Sequence, residues 1–228
     1  MFQLEVGRRS AALQALQLIK NGDVVGLGSG STMALAVSEI PGLLRDKTIE
    51  ASFIATSYQI EQVAITHGLR LTSLNEYPEP DLALDGADQV DDNLNLIKGG
   101  GAALTREKIV ASASKCFIVI VDEKKIVPIL DQPVAIEVIP FAHQAVVSRI
   151  KAMGGTAVLR ESKGKVGPVI TDNGNFVLDA DFGQIEDPAK LERSLRFIPG
   201  IMEIGLFVDM TDEVYVGKLD GSVEIKRS

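Results

Sequence analysis

Residues 23–40 read DVVGLGSGSTMALAVSEI, and the order of textures in this stretch decides the fold class. A short β-branched run enters a glycine-rich turn. The turn leads into apolar residues at helical spacing, with Ser31 or Thr32 as the candidate cap. The same alternation continues on both sides. Upstream, SAALQALQLIK carries a helical stripe that stops at Asn21-Gly22. Downstream, TIEASFIAT, LRLTSL, DLALDGAD and CFIVIV read as strands, with SYQIEQVAITHG and the run around LTREKIV as helices. Strands too apolar to face water on either side call for a parallel sheet covered by helices.

After DQPVAIEVIP the texture changes. AHQAVVSRIKAM reads as a helix ending at Gly154-Gly155, and TAVLRE as a strand. GPVITDNGNFVLDADF reads as a hairpin of two alternating strands around Asn173-Gly174. DPAKLERSLRFIPG opens a helix with Asp187 as cap and Pro188 at the first position. The order strand, helix, strands, helix, strand is that of a ferredoxin-like unit. The expected architecture is therefore α/β. A Rossmann-like parallel-sheet main domain spans 1–131 plus 207–228, and a smaller ferredoxin-like α+β domain, 132–206, is inserted near the C-terminus. The smaller domain is a candidate for oligomerisation.

With 46% hydrophobic residues among 228 and a mean hydropathy of +0.17, the chain can bury a large core. No apolar stretch approaches the ~20 residues that cross a bilayer, so no membrane partner is expected. The first residues lack the basic-then-apolar order of a signal peptide, and a cytoplasmic location is expected. Cys116, the single cysteine, lies in the apolar run KCFIVIV and is expected in the core. One thiol and two histidines make a poor His/Cys metal site. Carboxylate-only magnesium binding stays open on the residues alone. Twenty-three basic against 31 acidic residues give −8, which opposes nucleic-acid binding. An anionic ligand would have to be held by local donors in a cleft.

Three loops could carry chemistry, and all follow strands, where ligands bind in open α/β sheets. The first, GLGSGST (26–32), is neither a P-loop nor a dinucleotide fingerprint. It sets the hydroxyls of Ser29, Ser31 and Thr32 around Gly30 at a helix start, which suits an anion and equally suits an ordinary capped helix. The second, DGAD, runs from Asp85 through Gly86 and Ala87 to Asp88. It reads as a solvated turn or as a pair of acceptors for sugar hydroxyls. The third, KGGGAALTREKI (98–109), sets Lys98 before Gly99, Gly100 and Gly101. Glutamate 107 follows within a turn or two of helix, as a surface residue or as a general base. Arg8, Arg9 and Lys125 are further basic candidates on the same edge.

GLGSGST, DGAD, KGGGAALTREKIV, IEVIP, VITDNGN and IPGIMEIGLF occur in this order along the chain. Together they resemble the type A family of ribose-5-phosphate isomerases over essentially the full length. The resemblance implies an aldose–ketose isomerase of the non-oxidative pentose phosphate pathway. It would interconvert D-ribose 5-phosphate and D-ribulose 5-phosphate without metal or cofactor, as a homodimer or homotetramer. It makes Glu107 the base that moves a proton between C1 and C2 through an enediolate. Asp85, Asp88 and Lys98 become ligands of the sugar oxygens, Ser29 to Thr32 part of the substrate site, and Lys125 a neighbour. Two departures stand out: Gln89 where the family's usual residue is glutamate, and Arg8 at the place of a phosphate-binding lysine. Two other functions compete. One is a sugar-phosphate sensor using the same cleft without catalysis. The other is acyl transfer of the coenzyme A transferase type, with Glu107 as nucleophile.

Overall fold

The computed structural model describes residues 2–164 and 166–227. In chain order the elements begin α1 (Phe2–Leu16), β1 (Val24–Leu27), α2 (Ser31–Lys47), β2 (Ser52–Ala55), α3 (Tyr58–Thr66), β3 (Leu82–Asp85), β4 (Gln89–Val90), β5 (Leu96–Ile97), α4 (Leu104–Ala113) and β6 (Phe117–Asp122). They continue as β7 (Val134–Val138), α5 (His143–Ala152), β8 (Thr156–Leu159), β9 (Phe176–Asp181), α6 (Pro188–Arg196), β10 (Ile201–Ile204), β11 (Leu206–Phe207), β12 (Glu213–Gly217) and β13 (Val223–Arg227). The chain divides into two compact units. One is Met1–Ala87, Arg106–Ile126 and Met210–Ser228; the other is Asp88–Thr105 and Val127–Asp209.

The first unit is built on a six-stranded sheet in the order β13-β12-β6-β3-β1-β2, parallel except for β13. Alternate residues explain why its inner strands are apolar throughout, unlike the edge strand β13. Val25, Leu27, Phe53, Leu84 and Ile118 join a core with Ala12 and Leu16 of α1, Met33 and Val37 of α2, and Ile60 of α3. The intervening residues face the other way, where α4 sits so close that a Cβ on Gly26 would lie 2.3 Å from Val110 Cγ1. Both faces are therefore dry. β1, β3 and β6 are parallel neighbours, so their carboxyl ends share one edge. The chain leaves β1 for β2 on one side and returns to β3 on the other, which makes the β1/β3 crevice the topological switch point.

Several local expectations change. Helix α1 begins well upstream of its apolar stripe. Helix α2 runs through Pro41 to Lys47. An interior proline costs about 3 kcal/mol, and the packing of Leu43 and Leu44 against the core offsets it. Neither Ser31 nor Thr32 caps α2: the cap is Gly30, at φ 92° and without a side-chain bond. LRLTSL contributes only a single bridge, Leu71 to Phe53, and the first arm of the 167–182 hairpin only two isolated ones, Ile170 to Phe176 and Pro168 to Glu161. Cys116 sits one residue before β6, half-buried against the core, and burial pushes its thiol pKa up.

The second unit contains the antiparallel sheet β10-β7-β9-β8. With α5 after β7 and α6 after β9, this is the ferredoxin-like arrangement. Asp187 caps α6 as expected, accepting from the Lys190 N–H at 2.8 Å. One sheet face buries Ile136, Val138, Leu178 and Ile204 with Val146 and Ile150 of α5 and Leu195 of α6. On the other face Ala135 and Val177 pack with Leu104. A further sheet, β11-β5-β4, completes the unit. It moves the boundary: residues 88–105, 127–131 and 207–209 group with the second unit rather than with the first. The cause is pairing of β5 with β11, extended by the Lys98 N–H donating to the Gly205 carbonyl at 2.8 Å.

Candidate active site

In the first unit the crevice between β1 and β3 is closed by backbone contact. The Gly28 N–H donates to the Leu84 carbonyl at 2.8 Å. A Cβ on Gly28 would fall 1.9 Å from Asp85 Cγ and Oδ1, so only glycine leaves room for that carboxylate. Asp85 is 3% exposed, and its Oδ1 accepts from the Gly86 N–H at 2.7 Å. The Ser29 N–H points to Glu107 Oε1 at 3.3 Å. Glu107 lies in the first turn of α4 and is 6% exposed, so it is no surface glutamate. The Ser29 hydroxyl is itself held, 2.9 Å from Thr56 Oγ1 and 2.6 Å from Ser57 Oγ. Ser57 also caps α3, and Gln59 of that helix accepts from the Gly30 N–H at 3.0 Å.

The other first-unit candidates occupy the same sheet edge. Thr32 lies near Gly86, with Thr32 Cβ 3.9 Å from where a Cβ on that glycine would stand. Ser31 is exposed at the first position of α2, and Ala87 is half-buried. Arg8 of α1 sets its Nε 3.9 Å from Asp122 Oδ2 at the end of β6. Lys125 closes the 3-10 turn that follows β6. Ser29, Asp85, Gly86 and Glu107 thus form a contiguous group, with Arg8 and Lys125 at the end of the next strand.

The second unit holds Asp88, Lys98 and the three glycines. Lys98 is 4% exposed, and its ammonium lies 5.4 Å from the centre of the Phe207 ring. Gly99, at φ 102°, lies so close to the small sheet that a Cβ would stand 2.7 Å from Ala135 Cβ. The Gly100 N–H donates to Asp88 Oδ2 at 2.9 Å, while Gly101 is exposed.

Gln89 has a physical account. Its amide Nε2 donates to Asp131 Oδ1 at 2.6 Å, and its Oε1 accepts from the N–H groups of Asp131 and Gln132 at 2.9 and 3.0 Å. A glutamate could accept those two bonds but could not donate to a carboxylate. The substitution suits a chain with Asp131 opposite.

Two residues without an assigned role emerge. Glu137, fully buried in β7, accepts from Thr105 Oγ1 at 2.5 Å, Thr171 Oγ1 at 2.9 Å, and the amides of Asn173 and Asn175 at 3.0 and 2.8 Å. It fastens the first turn of α4, two residues before Glu107. A lone charge inside the apolar run VAIEVIP was the signal available for it. Arg160 follows β8 and contacts the glycine segment; nothing in its local sequence marks it. Among the described residues no group of three or more His, Cys, Asp or Glu side chains could hold a metal ion, and no helix is long and apolar enough to cross a membrane.

Residues 52–221 match the family model described as ribose 5-phosphate isomerase A (phosphoriboisomerase A). The chain is 48% identical to ribose-5-phosphate isomerase A of Methanosarcina acetivorans, over 96% of this chain and 93% of that one. It is 50% identical to the Archaeoglobus fulgidus protein of the same name, over 92% and 95%. The solved ribose 5-phosphate isomerase A of Methanocaldococcus jannaschii superimposes with a TM-score of 0.94 at 40% identity, covering 98% of this chain and 99% of that one. A D-ribose-5-phosphate isomerase solved in complex with phospho-erythronic acid gives 0.95 at 44% identity, covering 99% of each. A shared fold, near-complete coverage and identities of 40–50% lead to one conclusion: this chain belongs to the ribose 5-phosphate isomerase A family.

Proposed function

We propose that this chain interconverts D-ribose 5-phosphate and D-ribulose 5-phosphate, with Glu107 as the general base. The observation that carries the assignment of the base is the buried Glu107 carboxylate, fastened to the Ser29 N–H at the switch-point edge of the sheet. Isomerisation needs a base beside two adjacent carbons, donors for an enediolate, and an anchor for the phosphate whose binding energy orients the sugar.

In the proposed reaction Glu107 takes the proton from C2 of the open-chain aldose. The C2–H electron pair becomes the C1–C2 double bond of the enediolate, and the negative charge moves to O1. Glu107 then returns the proton to C1 while the O2 proton passes to O1, which leaves a hydroxyl on C1 and the ketone at C2. Lys98 and the glycine backbone stabilise the developing charge. Asp85 and Asp88 accept from sugar hydroxyls and assist ring opening. The N–H groups and hydroxyls of Ser31 and Thr32, with Arg8 and Lys125, receive the phosphate end, and Ser29 and Gly30 shape the turn that presents them. Arginine at position 8 can hold phosphate through two parallel N–H bonds. No step is assigned to a metal or cofactor.

A cytoplasmic location and a homodimer or homotetramer accompany this reading. Supporting association, the second unit exposes Phe141 and Phe197 at 100% and 86%. Light scattering on the purified protein measures the subunit number.

The test of function is incubation with ribose 5-phosphate and EDTA in deuterated water, following ketose formation and isotope uptake at the exchanging carbon. Glu107→Gln should bind sugar phosphate yet turn over at least ~100-fold more slowly, the low end for loss of a general base. Near-normal turnover in that variant would remove Glu107 from the role. Binding without any turnover in the wild type would leave a sensor, and a thioester on Glu107 would indicate acyl transfer.

A further inference from the structure

The Arg160 side chain bonds Asp179 of β9 and makes two kinds of contact at once. Its Nε donates to Asp179 Oδ2 at 2.9 Å, and Nη2 closes the fork on Oδ1. Its remaining nitrogen, Nη1, donates to the Gly99 carbonyl at 2.8 Å and the Gly100 carbonyl at 3.1 Å. The residue is rigid at its base. The Arg160 N–H bonds the Val177 carbonyl at 2.9 Å, and its own carbonyl accepts from the Val169 N–H at 2.8 Å. Arg160 is therefore braced through backbone and carboxylate before it touches the glycines.

The peptide between Gly99 and Gly100 is held at both ends. Its carbonyl accepts from Arg160, and its N–H, which belongs to Gly100, donates to Asp88 Oδ2. Asp179, Arg160, this peptide and Asp88 form a continuous chain of hydrogen bonds with a charged group at each end. Arg160 donates outward in both directions, to Asp179 and to the peptide carbonyl, and the peptide in turn donates to Asp88, so the guanidinium and the peptide dipole both point toward Asp88. A glycine segment has no side chains with which to anchor itself, so its conformation is set by what grips its backbone.

We propose that Arg160, braced by Asp179, is a positioning residue for the isomerase reaction: it fixes the Gly99–Gly100 peptide, and through it the Asp88 carboxylate and the adjoining Lys98. The proposal rests on the isomerase reading above. A guanidinium is required because its planar fork serves the carboxylate while the third nitrogen serves the carbonyls. A lysine ammonium in the same place could satisfy Asp179 or the carbonyls, not both in this geometry.

The experiment compares wild type, Arg160→Met and Arg160→Lys by steady-state turnover of ribose 5-phosphate, urea unfolding, and amide hydrogen exchange of residues 98–105. Displacement of catalytic groups by about 1 Å can lower rates ~100-fold, so kcat of Arg160→Met should fall by at least ~10-fold. Exchange in 98–105 should accelerate while that of β7 and β9 stays unchanged, and added guanidinium should restore part of both. Arg160→Lys should remain impaired. Wild-type kcat in either variant overturns the clamp. So does a loss accompanied by faster exchange throughout β7 and β9, or a loss that guanidinium does not relieve. Should the wild type fail to turn over ribose 5-phosphate, the isomerase reading fails. The exchange of 98–105 then still reports whether Arg160 holds the segment.

Discussion

Gly28→Ala tests the β1/β3 crevice with a single methyl group. The obstacle is space, since the new Cβ would stand 1.9 Å from Asp85 Cγ and Oδ1 and 2.6 Å from Asp85 Cβ. Favourable carbon–carbon contacts lie at about 3.5–4.0 Å, so either Asp85 retreats by roughly 1.6 Å or more, or the two strands part. Neither is easy, because Asp85 is buried against the Gly86 N–H and the Gly28 N–H ties β1 to Leu84. Overpacking of a close-packed site costs about 1–3 kcal/mol, and a misplacement of this size lowers turnover by about 100-fold. The assay is kcat/KM for ribose 5-phosphate, read beside the urea midpoint. Gly42→Ala is the control: it lies inside α2, and a Cβ there meets nothing within 4 Å. It should leave activity unchanged and stabilise by up to about 1 kcal/mol. If Gly28→Ala retains wild-type kcat/KM and the same urea midpoint, Asp85 does not depend on that space and the reasoning fails.

Three other outcomes are expected. Lys98→Ala should lower kcat and kcat/KM together, by about 100-fold, because its ammonium stabilises charge that develops during the reaction; a change confined to KM would make it a binding residue only. Chelation with EDTA should leave turnover intact, and a loss restored by magnesium would contradict the metal-free scheme. Acid stability should depend on Asp81. Its Oδ1 accepts from Lys115 at 2.8 Å and its Oδ2 from the Val24 N–H at 3.0 Å, and these bonds, the lysine's first, hold its carboxyl below the usual value of 3.8. A lowered folded pKa stabilises in full above 3.8, and that stability disappears as pH falls through the folded value. Asp81→Asn should therefore flatten the stability curve below about pH 4, as read from urea midpoints against pH; an unchanged slope would mean the bonds contribute nothing.

The large sheet was legible because its strands are dry on both faces, and because glycine turns separate them from helices whose apolar stripes have helical spacing. The ferredoxin-like order was legible for the same reason. What escaped was set by tertiary contact. β4 and β5 are two residues each, too short to show any period, yet their pairing with β11 carries residues 88–105 into the second unit. The extension of α2 past Pro41 is likewise held by the packing of Leu43 and Leu44. Residue types in strand-end loops single out Asp85, Lys98 and Glu107 as candidates and leave surface roles open for them; the family motifs assign the roles. The bond between Ser29 and Glu107 joins positions 78 apart, and no local pattern encodes it. Arg160 looks like any solvent-facing arginine at a strand end until the glycine carbonyls appear beside it.

The three glycines pose a thermodynamic question that their neighbours answer. Ordering a backbone costs about 1–2 kcal/mol per residue, and glycine stands at the upper end. Gly99–Gly101 thus resist a single conformation by about 5 kcal/mol. Against this stand the bond from the Lys98 N–H to Gly205, the bond from the Gly100 N–H to Asp88, and the two carbonyl contacts of Arg160. A neutral hydrogen bond contributes about 1 kcal/mol net and a charge-assisted one about 1.5–3, so the anchors are of the size needed to offset the entropy. Side chains would lower the cost of ordering, and Gly101 has the space for one, but Gly99 and Gly100 do not. A Cβ on Gly99 strikes Ala135, and one on Gly100 comes within 3.0 Å of Asp88 Oδ1. The close approach that excludes side chains is what makes the backbone groups available to Arg160 and Asp88. The flexibility written into this segment is therefore cancelled by charged groups outside it.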